Sequence, residues 1–207
     1  MLLFITGTDT GVGKTYFTAA LTRALKELGR EVVAFKPVES GCGDSCSDAE
    51  ELSRASGVRL SPVYSFKAPL APAVAAELEK RPIDVEKIIK AIGELSSRYE
   101  ITLVEGAGGI MVPITWSFSF LELSKSIGAE VLIVALNKLG VINHTLLTVK
   151  VCQSEGIGVR GVILNSPEAK DESFYSNYES LKRLLSVPLF EFSSYQDARS
   201  IALKLVE

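Results

Sequence analysis

Short apolar runs open near Leu2, Val32, Ile101, Val131, Val159 and Pro188. Several are spaced by about thirty residues, the length of a strand–helix–strand unit. Leu132-Ile133-Val134-Ala135 and Gly161-Val162-Ile163-Leu164 are continuous rather than alternating, as in strands covered by helices on both faces. Between the runs the period changes. Phe17, Ala20, Leu21, Ala24, Leu25 and Leu28 follow helical spacing, and Gly29 stands where such a helix stops. Val85, Ile88, Ile89, Ile92 and Leu95 repeat it. The pattern predicts an α/β fold, a mostly parallel β-sheet flanked by helices on both faces.

The interval from Val32 to Ile101 is longer than the others. It holds a polar Gly/Cys/Ser loop, a Pro-rich stretch (Pro62, Pro69, Pro72, Pro82) and two helical patterns. It reads as an insertion-rich region at about 40–100 within a single domain spanning 1–207, because no linker or low-complexity tract interrupts the chain.

Composition narrows the function classes. With 47% hydrophobic and 23% charged residues the 207-residue chain is ordinary globular protein. Its 22 basic and 25 acidic side chains leave a formal charge of −3. Such a surface has no basic field to draw in nucleic acid or an anionic membrane. A polyanion would need a local site. Met1–Ile5 carries no basic leader and is too short for the apolar part of a signal peptide. The apolar run Val131–Leu136 falls far short of the ~20 residues a spanning helix needs. Three cysteines (Cys42, Cys46, Cys152) and one histidine make a zinc site improbable, and the expectation is reduced thiols in a cytoplasmic protein.

The first run leads into Gly7-Thr8-Asp9-Thr10-Gly11-Val12-Gly13-Lys14-Thr15 and then a helical pattern. Glycines let backbone amides approach an anion, Lys14 supplies a point charge for phosphates, and Thr15 can place a hydroxyl on Mg²⁺. One residue more than usual separates Gly7 from Gly13. Further candidates stand at the ends of other strands, where such sheets bind ligands. Pro37 biases Lys36 toward an extended backbone, from which its ammonium can reach over the phosphate loop. Glu105 ends an apolar run and precedes Gly106-Ala107-Gly108-Gly109, a usual position for a magnesium-coordinating carboxylate. Asp48 lies at a helix start, where on the residues alone capping is its expected role.

Together these segments resemble the dethiobiotin synthetase family, over about four-fifths of the chain and in the family's order. The matching pieces are Gly7–Thr15, Lys36-Pro-Val-Glu-Ser-Gly41, Ser47-Asp48-Ala49, Val104–Gly109, Lys138-Leu-Gly-Val-Ile-Asn-His144, and Asn165 after the Val159–Leu164 run. The resemblance implies a P-loop NTPase-like three-layer fold and an ATP- and Mg²⁺-dependent cyclo-ligase of biotin synthesis. In that reaction CO₂ adds to one amine of 7,8-diaminononanoate, the carbamate attacks the γ-phosphoryl group, and the second amine closes the ureido ring.

The same resemblance carries residue roles. Thr10, Lys14 and Lys36 are the catalytic candidates. ATP would lie against Thr8, Asp9, Thr10, Gly11, Val12, Gly13, Lys14, Thr15, Tyr16, Glu105, Gly106 and Gly108, with Asn165 at the base edge. Thr15, Asp48 and Glu105 would hold the metal, which turns Asp48 from cap to ligand. Ser40, Thr10 and Gly108 would face the carbamate and diamine. Leu139, Gly140, Val141, Ile142 and Asn143 would bind the substrate's tail carboxylate from the neighbouring subunit of a homodimer. His144 is expected to serve the helix start rather than the chemistry. Pro188–Phe192 departs from the family's usual loop near the base, and Ala71-Pro72-Ala73 stands where Ser-Pro-His is common.

Two other classes compete. Septum-site and plasmid-partitioning ATPases share this loop and sheet, but carry a signature lysine where this chain has Asp9. Cobyrinate amidase needs a glutaminase domain for which 207 residues leave no room.

Overall fold

The structure is a computed structural model and describes residues 1–168 and 171–206. In chain order the elements are β1 (Leu2–Gly7), α1 (Lys14–Glu27), β2 (Val32–Phe35), β3 (Val38–Ser40), α2 (Ser47–Ser56), β4 (Tyr64–Phe66) and α3 (Pro72–Leu78). They continue as α4 (Val85–Ser96), β5 (Ile101–Gly109), β6 (Pro113–Thr115), β7 (Phe118–Ser119), α5 (Phe120–Ser126) and β8 (Glu130–Leu136). The last are α6 (Val141–Ser154), β9 (Val159–Asn165), α7 (Phe174–Leu184), β10 (Leu189–Phe192) and α8 (Tyr195–Val206).

Among the described residues six strands form one sheet in the order β10-β9-β8-β1-β5-β2, each pair parallel. These are the six apolar runs. Alternate side chains enter different cores, which is why the runs are apolar throughout. Leu3, Ile5, Leu103, Leu132 and Val134 pack under α1, α2 and α8. Phe4, Val104, Val131 and Ile133 join a second cluster with Ile88 and Ile92 of α4, Phe120 of α5 and Val149 of α6. Gly29, at φ 78°, follows the last turn of α1 in the left-handed region that glycine tolerates. The Asp84 carboxylate accepts the Glu86 N–H and starts α4.

The long interval departs from expectation in detail. It contains α2, α3 and α4 where two helices were expected, and β3 pairs with β4 in a separate two-stranded parallel sheet. Strands of two or three residues, here and in the β6–β7 hairpin, are too short to show a period. The cysteine expectation is corrected as well. Cys42 and Cys46 are joined in a disulfide, because the turn between β3 and α2 brings their Cα atoms to 4.6 Å. Cys152 is free, and burial pushes its thiol up to about 11. No helix among the described residues is long and apolar enough to cross a membrane.

Candidate active site

β1 delivers the chain to the middle of the sheet, and the loop 8–13 crosses its carboxyl edge. The Thr8 N–H donates to the Val134 carbonyl (2.9 Å), the Lys14 Nζ to the Asp9 carbonyl (3.1 Å), and the Thr10 N–H to Asp9 Oδ1 (2.7 Å). The Val12 side chain is buried in the core and pins the loop from below. Gly13, at φ 91°, is the N-cap of α1 with no side-chain cap among the described residues. The first-turn amides and the positive end of the helix therefore face the loop, a ready anion site.

Beside the loop stands a compact charged group. Lys36, at the end of β2, donates from Nζ to Asp48 Oδ2 (2.6 Å) and to Glu105 Oε1 (2.7 Å). Thr15 Oγ1 donates to the same Glu105 oxygen (2.7 Å). Glu105 is fully buried, and its Oε2 has no partner among the described residues. Burial alone would lower the Lys36 ammonium, but Glu105 and then Asp48 outweigh it and hold it above the usual lysine range. Lys14 goes the other way: burial, then Lys36, lower it to about 8. Lys36 is thus already balanced by two carboxylates.

An unpaired buried carboxylate oxygen is costly and calls for a cation or donor. Together with the Thr15 hydroxyl and Asp48 it offers hard oxygen donors, the set that Mg²⁺ takes. The residues fit the ion.

Asp48 does not cap α2. The helix begins after Cys46 without a side-chain cap from that residue, and Glu39 of β3 supplies the acceptor instead. Glu39 Oε1 and Oε2 take the N–H groups of Asp48 (3.0 Å) and Ala49 (2.8 Å). Burial raises the Glu39 pKa, the largest influence on it. These two bonds fix where Asp48 starts its turn. Glu39, Cys42 and Cys46 have ligand atoms within 4.8 Å of one another, but the sulfurs are bonded together and both carboxylate oxygens are engaged.

A cleft of about 630 Å³ opens over this group. Of the predicted residues it brings together Thr10, Gly11, Gly13, Lys14, Thr15, Tyr16, Lys36, Ser40, Asp48 and Gly108. Ser40 Oγ is buried with no partner among the described residues. Gly108 faces Thr10, whose Oγ1 would lie 3.4 Å from a β-carbon placed there. The far wall is Pro69, Leu70, Ala71 and Pro72, so the segment that departs from the family pattern lines the cleft.

The other predicted residues lie outside the cleft lining. Thr8, Asp9 and Val12 shape the loop from its sides. Gly106 is buried, and a β-carbon there would strike the Phe4 ring at 2.9 Å, so packing accounts for this glycine. Asn165 donates its Nδ2 to the Val12 carbonyl (2.9 Å). Gly140 is the N-cap of α6 at φ 92°, and Leu139 is 76% exposed. Its N–H donates to Asp171 Oδ2 (3.0 Å). The Ser173 hydroxyl and then that N–H lower the Asp171 pKa. His144 follows on the exposed side of α6. Behind this turn lie Asn137 and Asn177, buried and bonded to each other (2.8 Å), a pair with no motif to announce it.

A phosphate loop between β1 and α1, at the carboxyl edge of a parallel sheet in a three-layer α/β protein, defines a P-loop nucleotide-binding protein. A family model described as an AAA domain matches residues 2–192. The ATP-dependent dethiobiotin synthetase BioD of Aquifex aeolicus is 39% identical over 199 residues, covering 95% of this chain and 90% of that one. The protein of the same name from Anaeromyxobacter dehalogenans (strain 2CP-1) is 43% identical over 176 residues, 82% and 78% of the two chains. The chain belongs to the dethiobiotin synthetase family.

Solved structures similar in fold include a ParA family ATPase from Chlorobium tepidum (TM-score 0.58, 16% identity, 98% of this chain and 87% of that). Another is the septum site-determining protein MinD of Pyrococcus horikoshii, complexed with Mg-ADP (TM-score 0.56, 21% identity, 99% and 89%). At these identities the likeness concerns the fold alone.

Proposed function

We propose that the protein is a dethiobiotin synthetase, an ATP-dependent cyclo-ligase that closes the ureido ring from 7,8-diaminononanoate and CO₂. The observation that carries this is the continuity of one cleft from Lys14 and Thr15 of the phosphate loop to Ser40, Thr10 and Gly108. A nucleotide hydrolase needs the first half; a reaction joining a second anion to the γ-phosphoryl group needs both.

The chemistry asks the site to hold a carbamate in line with a triphosphate against their mutual repulsion. Lys14 and Lys36 supply the opposing charge, and Thr10 and the unpaired Ser40 hydroxyl orient the carbamate and diamine. Thr15, Asp48 and Glu105 would hold Mg²⁺, which when bound supplies charge against the triphosphate oxygens. Two of the three Lys36 N–H donors are engaged by carboxylates, which leaves the third for an incoming anion. Asn165 spends one N–H on Val12 and keeps Oδ1 and its second N–H for a base edge, an acceptor and donor pair that suits the exocyclic amine and a ring nitrogen of adenine.

The tail carboxylate is assigned to the Leu139–Asn143 turn of a second copy in a homodimer. In support, this turn opens α6, is exposed at Leu139, and already binds a carboxylate through the Leu139 N–H. A cytoplasmic setting is the reading that the use of ATP and a small diamine supports; the Cys42–Cys46 bond is the feature that speaks for an oxidising one.

The test follows phosphate release from MgATP and bicarbonate with and without the diamine. Release that depends on the diamine is expected. Diamine-independent hydrolysis stimulated by lipid or DNA would return the protein to the switch ATPases.

A further inference from the structure

The phosphate loop is tied down at several backbone points, and among the described residues only one tie comes from a side chain outside the loop and α1. The Thr8 N–H is held by β8, and the Asp9 carbonyl by Lys14. The Val12 carbonyl is held by Asn165, 153 positions away in sequence. Asn165 is well placed to act as an anchor. It ends β9 between paired strands, opposite Leu136 on one side and Phe192 on the other. Its own carbonyl accepts the Asn137 N–H (2.8 Å). It is 5% exposed.

A peptide carbonyl can only accept, so the group turned toward Val12 is the NH₂ and not the oxygen. Gly13 makes the approach possible, since a β-carbon there would lie 2.2 Å from Asn165 Nδ2. The Val12 carbonyl and the Gly13 N–H belong to one planar trans peptide and point in opposite directions. Drawing the carbonyl toward β9 therefore turns the Gly13 N–H away from β9, on the residue that lines the cleft.

We infer that Asn165 is a positioning residue for the phosphate loop, acting on the triphosphate through the Val12–Gly13 peptide rather than only on the nucleobase. The inference rests on the triphosphate site proposed above and deepens it.

Inorganic tripolyphosphate, which has no base, separates the two roles. Its affinity and that of MgATP are measured by calorimetry for the wild type, for Asn165→Ala, and for Asn165→Leu, which refills the space without a donor. Melting temperatures of each protein control for folding. Both variants are expected to bind both ligands about tenfold more weakly, as for loss of a buried hydrogen bond. The KM for the diamine should stay unchanged. Weaker ATP binding with unaltered tripolyphosphate binding would overturn the inference, as would no change for either ligand.

If both variants unfold, the wild type still decides the matter by NMR of the Asn165 side-chain NH₂. Its contact with Val12 should survive saturation with tripolyphosphate and with MgATP; loss of that contact on binding either would overturn the inference. A wild type that binds neither ligand contradicts the triphosphate site itself, a failure distinct from any difference between variants.

Discussion

Lys36 carries the largest electrostatic responsibility of any single side chain here. It is buried with Glu105 at 2.7 Å and Asp48 at 2.6 Å, so removing it strands a carboxylate in the core. Lys36→Met should cost about 3–5 kcal/mol in urea unfolding. Lys36→Met with Glu105→Gln should regain most of that stability and none of the turnover, which separates folding from chemistry. Lys14 gives a pH signature. Its pKa is about 8, lowered by burial and Lys36, whereas an unfolded lysine holds its proton to 10.5. The unfolded chain therefore binds more protons between these values, and the Lys14 contribution to stability rises from pH 8 to 10.5. Binding has the opposite sense. A triphosphate seated on the loop restores the proton, so affinity should fall above pH 8, with uptake of about one proton at pH 9 by calorimetry in buffers of different ionisation enthalpy. Unchanged affinity from pH 7 to 9 would place Lys14 away from the phosphates. At this scale the motif residues were legible because the phosphate loop needs fixed types at fixed spacing. That Lys36 is already neutralised was not, because its partners lie 12 and 69 positions away.

Among the elements, α2 is the piece whose placement most affects the site. Its start is set by a carboxylate on another element, Glu39 of β3, and by the disulfide across the intervening turn. Glu39→Ala should lower stability by about 1 kcal/mol, the usual worth of a cap, and kcat/KM by about tenfold through displacement of Asp48. Glu39→Gln keeps one acceptor and should fall between. Equal activity in all three proteins, measured beside their melting temperatures, would mean that Asp48 needs no such support. The contrast with the central sheet explains what sequence can show. The six sheet strands show as continuous apolar runs, and the helices α1 and α4 repeat their hydrophobic positions over enough residues to display a period. β3, β4, β6 and β7 do not, and α3 hides in a short alanine-rich stretch behind Pro72. Asp48 looks like a cap because it stands at a helix start; that Glu39 does the capping is a tertiary fact with no local trace.

For the molecule as a whole, the net charge of −3 and the locally charged cleft are compatible because each lysine of the site has acidic neighbours. Global charge therefore says little about a site built from balanced pairs. The proposed homodimer gives each cleft a Leu139–Asn143 turn from its partner, and mixing tests this. A Lys36→Met protein and a protein with Asn143→Ala and Gly140→Ala should each be nearly inactive. Co-refolded in equal amounts they should recover about a quarter of wild-type activity, since half the dimers are mixed and each mixed dimer has one intact cleft. No recovery would assign the turn and the cleft to the same chain. The central claim is that ATP is cleaved to install a carbon between two amines, and labelled bicarbonate tests it most directly. With diaminononanoate and MgATP, mass spectrometry should find one labelled carbon in each ring-closed product, with one phosphate released per product. Phosphate released at the same rate without the diamine, and no labelled ring, would contradict it.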